Sequence, residues 1–145
     1  SILANPTSKD VKDKVNSSVK FRESFRPFAG SILEEFANEY YVSPNKIISP
    51  YMEKVFYIKK NKKNIVPGIV HIDGTTRLQT VNIKQNKIYY NLIKFFYKAT
   101  GIPIILNTSF NINNEPIVET PEDAIRTFFS SGADIIYLGS YKIIK

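Results

Sequence analysis

The chain has 145 residues and no cysteine, and its 20 lysines and arginines outnumber 13 acidic residues, giving a formal net charge of +7. The length suits one domain with a sizeable core, and the absence of cysteine excludes disulfides, thiolate catalysis and cysteine-based zinc sites. No apolar run is long enough to span a membrane and no signal peptide is recognisable, so we expect a cytoplasmic protein with an anionic partner: a nucleotide, a nucleic acid or an acidic surface.

The first third of the chain is predicted to contain a helix, an extended segment and a second helix. Ser8 can cap a helix over residues 9–16. Residues 19–25 partly alternate between apolar and charged side chains, which predicts an extended segment. Apolar residues at helical spacing then predict a helix over residues 31–41. Its side chains expected to face the core are Ile32, Leu33, Phe36 and Tyr40.

The middle of the chain is predicted to be mostly extended. Residues 52–58 form a predicted strand, and the lysine-rich turn at residues 59–63 is interpreted as a solvated hairpin tip, because charge runs in turns are usually solvated. A short extended piece over residues 69–74 leads into a further predicted strand at residues 77–81.

The last third is predicted to alternate helices and strands. A helix over residues 87–100 precedes a buried strand at residues 102–106, and a capping-box pattern predicts a helix over residues 120–130. Residues 134–138 and 141–144 are expected to complete the sheet. Without strict βαβ repetition, the pattern predicts an α/β fold with an open, twisted mixed sheet and flanking helices. The residues expected to point inward from the helix at 87–100 are Ile88, Leu92, Phe95 and Phe96.

A polar cluster follows the buried strand directly. Asn107, Ser109 and Asn111 lie where the apolar run ends, and ligands of open α/β sheets bind beyond the carboxyl ends of strands. The alternative is a loop whose side chains cap their own backbone. Because the chain has a single histidine, a serine-protease-type triad is not expected. We therefore predict that these side chains hydrogen-bond a ligand rather than attack it.

A basic cluster lies far upstream, where Lys20, Arg22 and Arg26 place three cations within seven residues. Arginine offers a planar fork for phosphate oxygens, and lysine adds a mobile point charge. The alternative is a solvated strand edge, where lysines prevent aggregation. Together with the polar cluster, these residues predict a pocket that handles phosphate.

A third group lies around a glycine in the middle of the chain. Thr75 and Arg77 follow that glycine and could contact phosphate through a hydroxyl, loop amides and a guanidinium. His71 and Asp73 would share a strand face, but one histidine with one aspartate is a weak metal pattern, and we predict no metal site. Because the chain has neither a Walker-type loop nor a GxGxxG motif, phosphates are not held by those devices.

Two of these clusters together resemble a known signature. Lys20-Phe21-Arg22 with Ser109-Phe110-Asn111 reproduces the KxR…SxN pattern of YrdC-like domains. The wider context is similar to the C-terminal domain of NodU/TobZ-type O-carbamoyltransferases, over nearly the whole chain. The segments that carry this similarity are residues 19–29, 49–52, 71–81, 106–111, 115–118 and 120–124.

The resemblance implies a two-step enzyme. A YrdC-like domain uses ATP, with Mg²⁺, and carbamoyl phosphate to make a carbamoyl-adenylate. A preceding Kae1-like domain, which holds a metal ion, then passes the carbamoyl group to a hydroxyl of an acceptor. Because the chain begins without an initiator methionine, we expect residues 1–145 to be a single YrdC-like domain cut from a longer protein that contains that upstream domain. The chain by itself would support at most the carbamoyl-adenylate half-reaction.

The resemblance also implies residue roles. Lys20, Arg22 and Arg77 would hold phosphates and stabilise the negative charge that develops in the reaction. Ser109 and Asn111 would orient the adenylate or the carbamoyl group. Further members of the expected nucleotide-binding set are Arg26, Thr75 and Asn107.

Two other functions stay open. YrdC-like folds also occur in tRNA-modifying proteins with a basic concave face, and the net charge of +7 is compatible with RNA binding. A regulatory or structural domain that has lost its chemistry is a third reading, although Lys, Arg, Ser and Asn are all retained at the signature positions. The motif context favours the carbamoyltransferase, so the expected partners are ATP, carbamoyl phosphate and the upstream domain, without membrane or nucleic acid.

Overall fold

The strands of the computed structural model, which describes residues 1–145, build one open mixed sheet and a separate hairpin. This architecture confirms the predicted α/β class with flanking helices. The strands are β1 (Ile2–Ala4), β2 (Ala29–Leu33), β3 (Lys54–Tyr57), β4 (Thr75–Val81), β5 (Ile104–Thr108), β6 (Ile135–Leu138) and β7 (Tyr141–Ile144). The α-helices are α1 (Val11–Lys14), α2 (Ala37–Tyr40), α3 (Lys87–Thr100) and α4 (Pro121–Ser130).

The main sheet has the strand order β1-β5-β2-β4-β3. The neighbouring strands β2 and β4 run parallel to each other. All other pairs are antiparallel: β5 with β1, β5 with β2, and β3 with β4. β2 therefore lies at the centre, hydrogen-bonded on both sides. None of the helices is long and apolar enough to cross a lipid bilayer.

Each face of the sheet carries its own core, because successive strand residues point to opposite faces. Ile32 and Leu78 face a large core that also contains α1 and α2. Leu33 and Val81 face a smaller core against α3, to which the helix contributes Ile93. Since Leu33 and Val81 are the last residues of β2 and β4, α3 covers only that end of its face. The opposite end of the face stays open.

The predicted extended segment at residues 19–25 is wrong. Helix α1 instead continues as a π-helical turn over Val15–Val19, and the chain then turns at Phe21, whose φ is +49°. Val11, Val15 and Val19 recur every four residues and are all buried in the large core. Burial of this helical stripe overrides the short alternating pattern that follows it.

The predicted helix over residues 31–41 begins too early. Residues 29–33 form strand β2, followed by a 3₁₀ turn at Glu34–Phe36 and only then by α2. All five residues of β2 are buried, because the strand is central and covered on both faces. A continuously buried strand and one face of a helix give similar apolar spacing, and the sequence alone does not separate them.

Helix α3 has the predicted bounds and ends at Gly101, whose φ of +74° is typical of a helix C-terminus, but most of its predicted inward face is wrong. Ile88, Leu92 and Phe95 are 84%, 43% and 68% exposed. The helix has two apolar stripes, and the one richer in aromatic rings contacts the sheet. That stripe comprises Tyr89, Tyr90, Ile93, Phe96 and Tyr97, of which only Phe96 was expected to face inward.

Residues 134–138 and 141–144 do not complete the sheet, contrary to expectation. β6 and β7 form a hairpin of their own, which packs on α4 through Ile136 and Phe128. The edge strands of the main sheet are β1 and β3, and neither pairs with the hairpin. Helix α4 begins as predicted, because the Thr120 and Asp123 side chains make the reciprocal capping-box hydrogen bonds.

The assignment of the α3 faces can be tested with two matched truncations. We expect Ile93→Ala to lower the free energy of unfolding by about 2–4 kcal/mol, because it leaves a cavity in a fully buried site. Ile88→Ala should change it by less than about 0.5 kcal/mol, since that side chain is largely exposed. Urea unfolding followed by circular dichroism measures both, and a reversed order would contradict the assignment.

Candidate active site

The two halves of the KxR…SxN signature are one physical contact. The Lys20 ammonium donates to the Ser109 carbonyl (2.8 Å) and hydroxyl (3.1 Å), and to the Asn111 carbonyl (3.0 Å) and side-chain oxygen (2.6 Å). The two partners lie 89 and 91 residues downstream. Lys20 thereby ties the loop after α1 to the loop after β5, and the site contains both loops.

The loop after β5 is further ordered by its own side chains. The Ser109 hydroxyl donates to Asn111 Oδ1 at 2.7 Å, and Asn111 Nδ2 donates to the Glu115 carbonyl at 2.8 Å. The backbone N–H of Asn113 donates to the Lys20 carbonyl at 3.1 Å. Ser109 and Asn111 thus use their polar atoms within the protein, which makes them positioning groups for this loop.

Lys20 carries a buried positive charge that no carboxylate neutralises. Its side chain is only 3% exposed, and its four acceptors are neutral oxygens. Burial, and secondarily the nearby Arg22, lower the pKa of Lys20 to about 8. The ammonium form therefore predominates at pH 7 and attracts anions, while its protons already have acceptors.

Arg22 lines two cavities of the site and is held there by a hydrogen bond and an aromatic contact. Its Nε donates to Asn16 Oδ1 at 2.7 Å, and its guanidinium lies 4.8 Å from the centre of the Phe28 ring. Its two terminal nitrogens have no protein acceptor. Burial lowers the pKa of Arg22, as does the neighbouring Arg26, so the site concentrates positive charge. An arginine held in this way presents its free edge to a ligand.

Asn16 is a site residue that the sequence analysis missed. It is fully buried, and its Nδ2 donates to the carbonyls of Ser24 (3.2 Å) and Arg26 (3.0 Å). One side chain thus shapes the whole basic loop and orients Arg22. An asparagine near the end of a short helix carries no sequence signal for this role. Arg26 itself is half-exposed and paired with Glu23 at 2.8 Å, an ion pair of small energetic value.

Arg77 lies on strand β4 of the main sheet and lines a cavity together with Arg22. In the register, Arg77 lies opposite Ala29, and Ala29 lies opposite Asn107, so the three side chains share one face. This is the end of the face that α3 leaves open. The small Ala29 side chain between the two longer ones leaves room for a ligand. Arg77 is exposed and has no hydrogen bond or ion pair within the protein.

The floor of the site is a polar network on the same face, one row further in. The Ser31 hydroxyl donates to Gln79 Oε1 at 2.7 Å, and Asn107 Nδ2 donates to Ser31 Oγ at 3.0 Å and to Gln79 Oε1 at 3.1 Å. Ser31 and Gln79 were also missed. The position of Gln79 two residues after Arg77 in a predicted strand was the available signal, since it places both on one face.

Two adjoining cavities open between these elements. The smaller, of about 130 Å³, lies at the basic loop, and the larger, of about 590 Å³, lies over the sheet floor. Arg22 and Ser109 line both, and no carboxylate lines either. Seven of the eight predicted site residues are brought together here: Lys20, Arg22, Arg26, Arg77, Asn107, Ser109 and Asn111.

Thr75 lies apart from the cavity walls. Its hydroxyl donates to Asp73 Oδ1 at 2.7 Å and lies 3.1 Å from His71 Nδ1, and the residue is buried. Strand β4 begins at Thr75, and its backbone N–H donates to Asp73 Oδ1 at 2.9 Å, while the Gly74 N–H donates to the His71 carbonyl at 2.9 Å, so these amides are already used within the protein. The Thr75 hydroxyl and backbone N–H lower the pKa of Asp73. No cluster of three or more histidine, aspartate or glutamate side chains is placed to hold a metal ion.

Comparison with known proteins identifies the family from the whole chain. Residues 1–145 match the family described as carbamoyltransferase C-terminus. The chain belongs to this family. This confirms the prediction that the chain is a C-terminal domain of the kind found in NodU-type carbamoyltransferases.

Nodulation proteins are among the similar relatives of this carbamoyltransferase domain. It is 47% identical over 146 residues to nodulation protein NolNO of Sinorhizobium fredii, covering all of this chain and 22% of that protein. It is 46% identical to nodulation protein NolO of Bradyrhizobium diazoefficiens, of which it covers 27%, and 41% identical over 113 residues to nodulation protein U of Rhizobium tropici, of which it covers 19%. The domain thus spans about a quarter of the length of these relatives.

The charge on Lys20 predicts how anion binding depends on pH. Because only the ammonium form attracts anions, and burial lowers its pKa to about 8, we expect affinity for sulfate, a dianion that does not titrate in this range, to fall up to about tenfold between pH 7 and pH 9. Lys20→Met should bind weakly with no such slope. Isothermal titration calorimetry measures both.

The exposed Lys60 of the lysine-rich turn provides the matched control, since Lys60→Met removes a charge far along the chain from both loops. That variant should keep the affinity and the slope. A Lys20→Met protein that is folded by circular dichroism and keeps the native slope would contradict the assignment.

Proposed function

We propose that this domain is part of an ATP-dependent O-carbamoyltransferase and that its two adjoining cavities bind ATP and carbamoyl phosphate to form a carbamoyl-adenylate. The observation that carries the proposal is the convergence of Lys20, Arg22 and Arg77 on cavities without a carboxylate. A reaction that gathers two phosphorylated anions needs positive charge placed in advance. The family to which the domain belongs supports the same chemistry.

The sizes of the cavities suggest how the substrates are divided. The smaller, of about 130 Å³, has the denser positive charge and suits a small phosphate ester such as carbamoyl phosphate. The larger, of about 590 Å³, suits a nucleotide. Arg22 lines both, so its free terminal nitrogens would face the point where the two substrates meet.

The proposed reaction balances in two steps. Water cleaves carbamoyl phosphate to carbamate and phosphate, and a carbamate oxygen then attacks the α-phosphorus of ATP, with pyrophosphate leaving. Arg22 and Arg77 would stabilise the charge on the phosphate oxygens, and Lys20 would add its buried charge behind them. Because no carboxylate lines the cavities, Mg²⁺ would be held by the phosphates of the nucleotide.

Transfer of the carbamoyl group to a hydroxyl acceptor would need a further domain. The relatives are about four times longer than this domain, which covers 22% and 27% of two of them. We propose that a preceding Kae1-like domain with its own metal ion carries out that transfer. The use of ATP and carbamoyl phosphate would place the enzyme in the cytoplasm.

The proposal predicts that ATP·Mg²⁺ binding depends on the two free arginines. We expect Arg22→Gln and Arg77→Gln each to weaken ATP binding at least tenfold (about 1.4 kcal/mol), because each removes a guanidinium that has no other ion partner. Lys98→Gln, on the exposed last turn of α3, is the charge-matched control and should bind normally. Isothermal titration calorimetry provides the affinities.

The chemistry is tested by exchange of labelled pyrophosphate into ATP, which should require carbamoyl phosphate and fail in Arg22→Gln. Folded protein that binds ATP equally well in all variants would refute the proposed site. Salt-sensitive binding of tRNA that exceeds ATP binding would instead favour an RNA-binding module.

A further inference from the structure

The floor network of the larger cavity has a fixed hydrogen-bond direction. Gln79 Nε2 donates to the Pro50 carbonyl at 3.0 Å, and a backbone carbonyl can only accept. The Gln79 amide is therefore oriented with Oε1 toward Ser31 and Asn107. That oxygen accepts from the Ser31 hydroxyl at 2.7 Å and from Asn107 Nδ2 at 3.1 Å.

The orientation of the Gln79 amide also fixes the orientation of the Asn107 amide. Its Nδ2 has two hydrogens, one given to Gln79 Oε1 and the other to Ser31 Oγ at 3.0 Å. If the Asn107 amide were rotated by 180°, its Oδ1 would lie 3.1 Å from Gln79 Oε1, and the two carbonyl oxygens would repel each other. The hydrogen bonds that run from the Pro50 carbonyl through Gln79 and Ser31 thus determine which end of the Asn107 amide is nitrogen and which is oxygen. The distances around Asn107 alone would not determine this.

The remaining polar atom of Asn107, its Oδ1, has no donor within the protein. Asn107 is only 7% exposed and lines the larger cavity, and its Oδ1 is not sealed off from solvent, so a ligand in that cavity can reach it. A nearly buried acceptor of fixed direction favours a ligand N–H and repels a ligand carbonyl oxygen. We infer that Asn107 is a specificity-determining residue that selects an amino group on the ligand, with Gln79 and Ser31 as the residues that position it.

This inference rests on the proposed function, which supplies two amino groups. ATP carries the exocyclic amine of adenine, and carbamoyl phosphate carries the amide NH₂. Inosine triphosphate replaces the first with a carbonyl oxygen, and acetyl phosphate replaces the second with a methyl group. Each pair differs at the group that Asn107 would recognise, and both members keep their phosphates.

The test compares the affinities of ATP with inosine triphosphate, and of carbamoyl phosphate with acetyl phosphate, by calorimetry. We expect wild-type protein to prefer the amino-bearing member of one pair at least tenfold, and that pair identifies the ligand. Asn107→Leu should abolish the preference. Gln79→Leu removes the acceptor that orients the Asn107 amide and should lower the preference.

Lys98→Gln, on the exposed last turn of α3, serves as the control outside the floor network and should keep the preference. Equal binding of both members of each pair by wild-type protein would overturn the inference and leave the proposed function standing. The inference would also fail if Asn107→Leu or Gln79→Leu kept the full preference. Absence of binding by all four compounds would refute the proposed function itself.

Discussion

The site depends on one buried cation that is solvated by the protein and not neutralised by it. An ammonium taken out of water needs hydrogen-bond acceptors, and Lys20 has four, all of them neutral oxygens of Ser109 and Asn111. Those contacts fix the loop after β5 to the loop after α1, yet they leave the positive charge uncompensated. Burial therefore lowers the pKa of Lys20 to about 8. An incoming anion would relieve this electrostatic cost, so the contact that orders the site also favours the phosphate binding that we propose.

The sheet supplies the other half of the site by leaving one end of a face uncovered. Helix α3 packs where β2 and β4 end, and at the opposite end the small side chain of Ala29 separates Arg77 from Asn107. A larger residue at that register position would fill the space above the floor network. Packing and function are thus linked through strand register: the same alternation that buries Leu33 under the helix exposes Arg77 to the cavity.

Local signals in the sequence were sufficient where an element is specified by its own residues. The bounds of α3 and the capping box of α4 were predicted, as was the polar end of β5, because caps and an abrupt change in polarity lie within a few residues. Non-local contacts decided the rest. Residues 29–33 form a strand because they lie at the centre of the sheet. The inward face of α3 was decided by which of its two apolar stripes packs against the sheet. Asn16 and Ser31 contact the site across the fold, and no spacing in the sequence marks them, whereas Gln79 was marked only by its place two residues after Arg77 in a predicted strand.

The structure also separates two tasks among the basic and polar residues of the site. Lys20, Ser109 and Asn111 use their polar atoms on one another, so their identity is required by the geometry of the loops before any ligand arrives. Arg22 uses only its Nε on Asn16, and Arg77 uses nothing, which leaves both guanidiniums for the ligand. Loss of one residue from the first group should therefore alter the site as a whole, whereas loss of an arginine should remove one contact from an intact site. A sequence that kept the first group and lost the arginines would retain this cavity without the charges on which the proposed chemistry depends.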